Sequence, residues 1–191
     1  KGMAVLVERC LTHGKAPTAE ALHAAIESFK RHYTEVNGRF TQIYPGVLEG
    51  LQAWKAAGLK MGVVTNKPGM FTEALLERMG MADYFDVVVS GDTTAHKKPH
   101  PEPILHACRL FNVRPDRNLH IGDSENDNEM LRYAGTGVAM GNALEETKAA
   151  SDYVTDDCDD EGVAHALALG LDVADGVLVG LGDDRHAAVH L

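Results

Sequence analysis

The sequence predicts an α/β fold, a doubly wound parallel sheet joined to a partial helical cap, and three observations carry that expectation. From Tyr44 onward, short apolar runs alternate with helix-length amphipathic stretches. The apolar runs are too continuous for a sheet with one wet face, so they read as parallel strands covered on both sides by helices. Polar clusters follow three of these runs directly, where open α/β sheets bind ligands.

The elements follow in order. After "KAPT", Leu22, Ile26, Phe29, Tyr33 and Val36 recur at helical spacing over residues 18–36, with Thr18 placed to cap the helix. "PGVLEGLQAWKAAG" predicts a helix closed by Gly58, and "LKMGVVT" a buried strand. A helix "FTEALLERMG", a strand "FDVVVS", a helix "PEPILHACRLF" and a strand "NLHIGD" come next. A helix "ENDNEMLRYAG" and a short strand "GVAM" complete the alternation. Right-handed crossovers then give the doubly wound sheet. The expected division is a partial helical cap over 1–44, the α/β core over 45–168 and a tail over 169–191. The tail, "GLDVADGVLVGLGDDRHAAVHL" with the preceding Leu169, has no clear period and reads as weakly ordered.

Composition narrows the function classes. With 191 residues, 45% of them hydrophobic, the chain can bury a full core. A net charge of -10 argues against a nucleic-acid surface, which needs clustered Lys and Arg. No apolar run approaches the roughly 18 residues of a membrane span. Cys10, Cys108 and Cys158 are odd in number and in no CxxC spacing, which suggests buried free thiols and a cytoplasmic setting.

Three motifs at strand ends carry the chemistry. In "GVVTNKPGM", Thr65 and Asn66 offer a hydroxyl, an amide and backbone N–H groups near a helix start, a set that suits a phosphoryl group, although Thr-Asn also serves ordinary turns. In "AHKKPHPEP", Lys97 and Lys98 precede a proline-stiffened helix entry, where a lysine either neutralises an anion or stands in solvent. In "LHIGDSENDNEM", Asp123 follows the strand and Asp127 lies one helical turn later. Two carboxylates ~4 Å apart repel by about 4 kcal/mol at an effective dielectric near 20, so such clustering calls for a cation. All-oxygen donors point to Mg²⁺; the alternative is helix capping by Ser124 or Asp123 with first-turn acids favoured by the helix dipole, and Glu125 and Glu129 read as such surface acids. His96, His100 and His106 match no common metal spacing and read as loop and helix-face residues.

These motifs, in this order, resemble the haloacid dehalogenase superfamily of Mg²⁺-dependent phosphohydrolases. Over residues 1–123 the text looks like the phosphoglycolate phosphatase family, with "VVTNKP" and "KKPHPEP" its most specific parts and "KGMAVLVERCL" similar to the start of the helical cap. The resemblance implies hydrolysis of a small phosphorylated metabolite through an aspartyl phosphate. It implies that Thr65 and Asn66 hold phosphoryl oxygens, that Lys98 neutralises nucleophile and phosphate, that Asp123 binds Mg²⁺, and that Asp127 ligates the metal or orients Lys98.

The sequence departs from the family in two places. The nucleophile motif DxDGT is absent, so the first strand of the core is expected to be missing and the chain inactive as it stands. In "LDVADGVL", Asp172 and Asp175 would face opposite sides of a strand, and aligning "DGVL" puts Val173 where the nucleophile belongs. From Asp123 to about residue 167 the text instead resembles the Cof-type sugar-phosphate phosphatases of the same superfamily. A sugar phosphatase or phosphomutase, or a non-catalytic fragment that binds Mg²⁺ and anions, is the alternative function. A missing central strand also predicts self-association through an exposed sheet edge.

Overall fold

The computed structural model describes residues 2–12, 16–170, 176–180 and 189–190. Helices α1 (Met3–Leu11) and α2 (Ala19–Val36) pack on each other ahead of the sheet. Thr18 caps α2 as its position predicts, its Oγ1 accepting the Ala21 N–H at 3.2 Å. Neither helix has a wide buried face; α2 is anchored by aromatic contacts. Tyr33 stacks on Phe29 and meets the edge of Phe71, while the Asn37 amide donates to the Phe71 carbonyl at 2.8 Å.

After the short strand β1 (Gln42–Ile43), the chain alternates α3 (Val47–Ala56), β2 (Lys60–Val64), α4 (Gly69–Arg78), β3 (Val87–Val89) and α5 (Glu102–Phe111). It continues through β4 (Asn118–Gly122), α6 (Asn128–Tyr133), β5 (Thr136–Ala139), α7 (Glu145–Lys148), β6 (Tyr153–Val154) and α8 (Gly162–Gly170), ending with β7 (Gly176–Gly180) and β8 (Val189–His190). Gly58, at φ 74, takes the left-handed conformation that closes α3 where the sequence predicts a stop.

The main sheet runs β3-β2-β7-β4-β5-β6, and every pair in it is parallel. Strands β2, β4 and β5 are buried on both faces along most of their length, as their unbroken apolar runs require. Met61, Val63, Leu119 and Ile121 pack with Val47, Leu51, Trp54 and Leu167 of α3 and α8. Val64 and Val89 pack in a second cluster with Ile104, Cys108 and Phe111 of α5 and Met130 of α6. Trp54, 1% exposed, ties the first layer together by donating Nε1–H to the Leu167 carbonyl at 2.6 Å.

Four expectations are corrected. The tail is not uniformly weakly ordered, because β7 occupies the central slot of the sheet and β8 pairs antiparallel with β1. Glycine spacing obscured it, yet "GVLVG" is a short apolar run of the kind a fully covered parallel strand uses. The sheet accordingly has no gap between β2 and β4, and the outermost strands β3 and β6 are short, so the reasoning behind an exposed central edge does not hold. The predicted helix over 125–135 opens as a 3₁₀ turn, Glu125–Asp127, before α6 begins. Cys10 is exposed, although Cys108 and Cys158 are buried. The readings of Asp172, Val173 and Asp175 lie outside the described residues.

Candidate active site at the carboxyl ends of the strands

β2 and β4 flank β7, and their register puts the two key strand ends level. Val63 and Ile121 both pair with Val179, so Thr65 and Asp123 each stand two residues further on. Two strand spacings place their backbones about 10 Å apart on either side of β7.

Thr65 and Asn66 are both buried. The Thr65 N–H donates to the Val89 carbonyl at 2.9 Å, and its hydroxyl accepts the Lys67 N–H at 3.1 Å, which shapes the turn into α4. Asn66 donates Nδ2–H to the Lys98 carbonyl at 3.1 Å, joining the first motif to the second. Gly91 allows this approach, since a Cβ there would lie 2.1 Å from the Asn66 carbonyl oxygen.

Lys98 is 3% exposed, and its ammonium lies 3.0 Å from Asp127 Oδ1, with both side chains wholly buried. The other oxygen of Asp127 accepts from the Ser124 hydroxyl at 3.1 Å and from the Ser124 N–H at 3.4 Å. His120 Nε2 stands 3.4 Å from Oδ1. Burial pushes the Asp127 carboxyl up, but Lys98 and His120 outweigh it and hold the group well below the usual carboxylate range. Gly122 makes room for this carboxylate, because a Cβ at that position would come within 2.5 Å of the Asp127 Cβ.

The structure thus joins Asn66, Lys98 and Asp127 in one hydrogen-bonded chain and sets Thr65 and Asp123 beside it. It separates the two acids in role. Asp127 is committed to Lys98 and Ser124 through both oxygens, whereas Asp123 is half-buried and lines an open cleft with Ser124, Glu125 and Asn126. Oxygen donors at that rim suit Mg²⁺, and Asp123 fits as the residue that would hold it. The cleft has a volume of about 1130 Å³ and runs between α1, α2 and the strand ends, with Met3, Leu6, Phe29 and Tyr33 among its apolar walls.

Four polar residues at this site were not among the functional candidates drawn from the sequence, although Ser124 was weighed as a helix cap. His120 lay hidden in an apolar strand; the alternation that puts it on the same face as Gly122 was the available signal. Ser124 completes the Asp127 cradle. Lys67 extends Nζ to the Tyr33 hydroxyl at 3.0 Å on the cleft wall. Asn142, just beyond β5, lines the same cleft, and neither polar atom of its amide has a hydrogen-bond partner among the described residues. Its signal was position, three residues past the end of β5.

Comparison with known proteins shows the family to which the chain belongs. A sequence model of the haloacid dehalogenase-like hydrolase family matches residues 12–140, a span that includes Thr65, Asn66, Lys98, Asp123 and Asp127. The chain belongs to the haloacid dehalogenase-like hydrolases. Among the family's members, a phosphoglycolate phosphatase of Thiobacillus denitrificans is 47% identical over 139 residues, 72% of this chain and 61% of the relative. A crystal structure of a predicted phosphoglycolate phosphatase from Haemophilus somnus superposes with a TM-score of 0.73 at 30% identity, covering 83% of this chain and 75% of the other. CbbY from Rhodobacter sphaeroides, solved in complex with phosphate, gives 0.72 at 25% identity, covering 90% and 78%. The chain spans about three fifths of the length of the curated relatives it matches. The family match continues through Asp123, where the text changes its resemblance, to residue 140.

Proposed function

We propose that this chain carries the phosphoryl- and metal-binding side of a Mg²⁺-dependent phosphatase acting on small phosphate monoesters in the cytoplasm, with 2-phosphoglycolate the first candidate substrate. The buried Lys98–Asp127 pair carries this reading. A lysine taken out of water and fixed by a carboxylate at a strand end is a preorganised cation for a phosphoryl oxygen. Asp127 positions Lys98, Asn66 fixes the backbone of the same loop, and Thr65 with the first turn of α4 offers further donors to an anion. Asp123 would hold Mg²⁺, which when bound would supply Lewis-acid stabilisation of phosphate charge. Lys67 and Asn142 are placed to meet the non-phosphate end of the substrate in the cleft.

One observation favours a larger substrate as the second reading. The cleft exceeds the roughly 300–1,000 Å³ of ordinary ligand pockets, which leaves room for a sugar phosphate.

The aspartyl-phosphate route needs a carboxylate nucleophile, and the sequence has no DxDGT segment. The 191-residue chain is therefore expected to bind phosphate without ordinary turnover. The test is hydrolysis of a panel holding 2-phosphoglycolate and several sugar phosphates, each assayed with and without Mg²⁺. Absent or trace turnover is expected. Ordinary rates that disappear in Lys98→Ala would show that the chain supplies its own nucleophile and would overturn that part of the reading.

A further inference from the structure

The turn that leads from β3 to α5 assembles a second group of metal donors, outside the site described above. The His96 backbone N–H donates to Glu102 Oε2 at 2.8 Å, and His96 Nδ1 lies 2.8 Å from the same oxygen. The His100 ring stacks on His96 with centroids 4.3 Å apart and planes 23° from parallel. One donor atom from each of His96, His100 and Glu102 falls within 4.8 Å of the other two. Spacing in the sequence hid the cluster, because a turn gathers these residues and no helical or CxxC-like register does. His96 and His100 are loop residues, as the sequence predicts, and the turn brings them together with Glu102; His106 is not in the group.

We propose that His96, His100 and Glu102 form a transition-metal site, of the class that takes Zn²⁺, Ni²⁺ or Cu²⁺. Two imidazoles and a carboxylate suit these ions and not Mg²⁺, which prefers all-oxygen surroundings. Around a tetrahedral ion with bonds of about 2.0–2.1 Å, donors sit roughly 3.3 Å apart. The His96–Glu102 contact at 2.8 Å therefore needs to open by about half an ångström. The His96 side chain, 64% exposed, has the freedom to do so. The proton shared by that hydrogen bond occupies the place of the ion. His100 Nδ1 accepts the Glu102 N–H at 3.1 Å, an exposed bond that water can replace when the ring turns to a metal.

The turn is already shaped for three donors. The His100 N–H donates to the Lys97 carbonyl at 2.9 Å, and the Thr94 hydroxyl donates to the His96 carbonyl at 2.7 Å. Open solvent on the histidine side leaves positions for water on the ion. Lys98 lies between two of the ligands in the chain, so an ion here closes the segment that carries the buried lysine. The site stands independently of the phosphatase reading.

The test is calorimetric titration of the untagged chain with Zn²⁺ in saturating Mg²⁺, paired with the visible spectrum of the Co²⁺ form. One equivalent should bind, with a nitrogen–oxygen Co²⁺ spectrum free of thiolate charge transfer. His96→Ala and His100→Ala should each weaken binding ~10-fold or more, the double substitution should abolish it, and Asp123→Ala should leave it intact. Absence of Zn²⁺ binding would overturn the proposal. So would binding that survives the double substitution, because the ion would then belong to other donors, such as the Asp157–Cys158–Asp159 group.

Discussion

Replacing Asp127 with alanine is expected to destabilise the protein by about 3–5 kcal/mol, because it leaves the Lys98 ammonium buried without its counter-charge. Against the roughly 5–15 kcal/mol that holds a typical domain together, this is a large fraction. Chemical denaturation measures it as a shift in midpoint. A paired substitution, Asp127→Leu with Lys98→Met, removes both charges and is expected to recover much of the loss. Should Asp127→Ala shift the midpoint no more than an exposed substitution such as Glu129→Ala, the pair is not the buried electrostatic unit described here.

The same pair sets a pH dependence whose sign is fixed. Burial opposes ionisation of Asp127, but Lys98 and His120 dominate, so the folded state holds the carboxyl below its unfolded value, near 3.9. The unfolded chain thus binds the proton first on acidification. The stabilisation is complete above the unfolded value and is lost as pH falls from there toward the folded one. The wild-type protein should lose stability more steeply below about pH 4 than the doubly substituted one.

Ending the chain after Gly170 is expected to have the second large effect. β7 pairs with β2 from Lys60↔Gly176 to Val64↔Gly180 and with β4 from Asn118↔Gly176 to Ile121↔Val179. Without it, β3-β2 and β4-β5-β6 become separate sheets with unpaired edges facing one another. Loss of cooperative unfolding and self-association are expected, measured by thermal denaturation and sedimentation. Leu178→Pro gives a subtler version, because proline removes a ladder donor from a central strand. A truncated chain that stays monomeric with an unchanged midpoint would mean that the strand is dispensable.

Much of this architecture was legible in the sequence because the alternation of apolar runs and amphipathic helices is strong between Tyr44 and Met140. The strand ends Thr65, Asn66 and Asp123 were found by the same rule, position after an apolar run. β7 was not, since its short run lies between glycines and its placement depends on two distant strands leaving a slot of the right width. His120 was missed because its partner arrives from the following 3₁₀ turn and Gly122 supplies the space. The family resemblance allowed Asp127 two roles, metal ligand or partner of Lys98, and choosing between them needed three dimensions. Helical spacing put both acids on one metal, whereas the 3₁₀ turn and Ser124 direct Asp127 to Lys98.

We propose that the strand ends form an anion site built from Lys98 and completed by Mg²⁺ at Asp123. The most direct measurement is calorimetric titration of the 191-residue chain with inorganic phosphate, with and without Mg²⁺, in the wild type, Asp123→Ala and Lys98→Met. Phosphate binding that requires Mg²⁺, fails in Asp123→Ala and weakens in Lys98→Met is the predicted result. Binding that ignores both Mg²⁺ and these substitutions, or no binding by a correctly folded chain, would contradict the account.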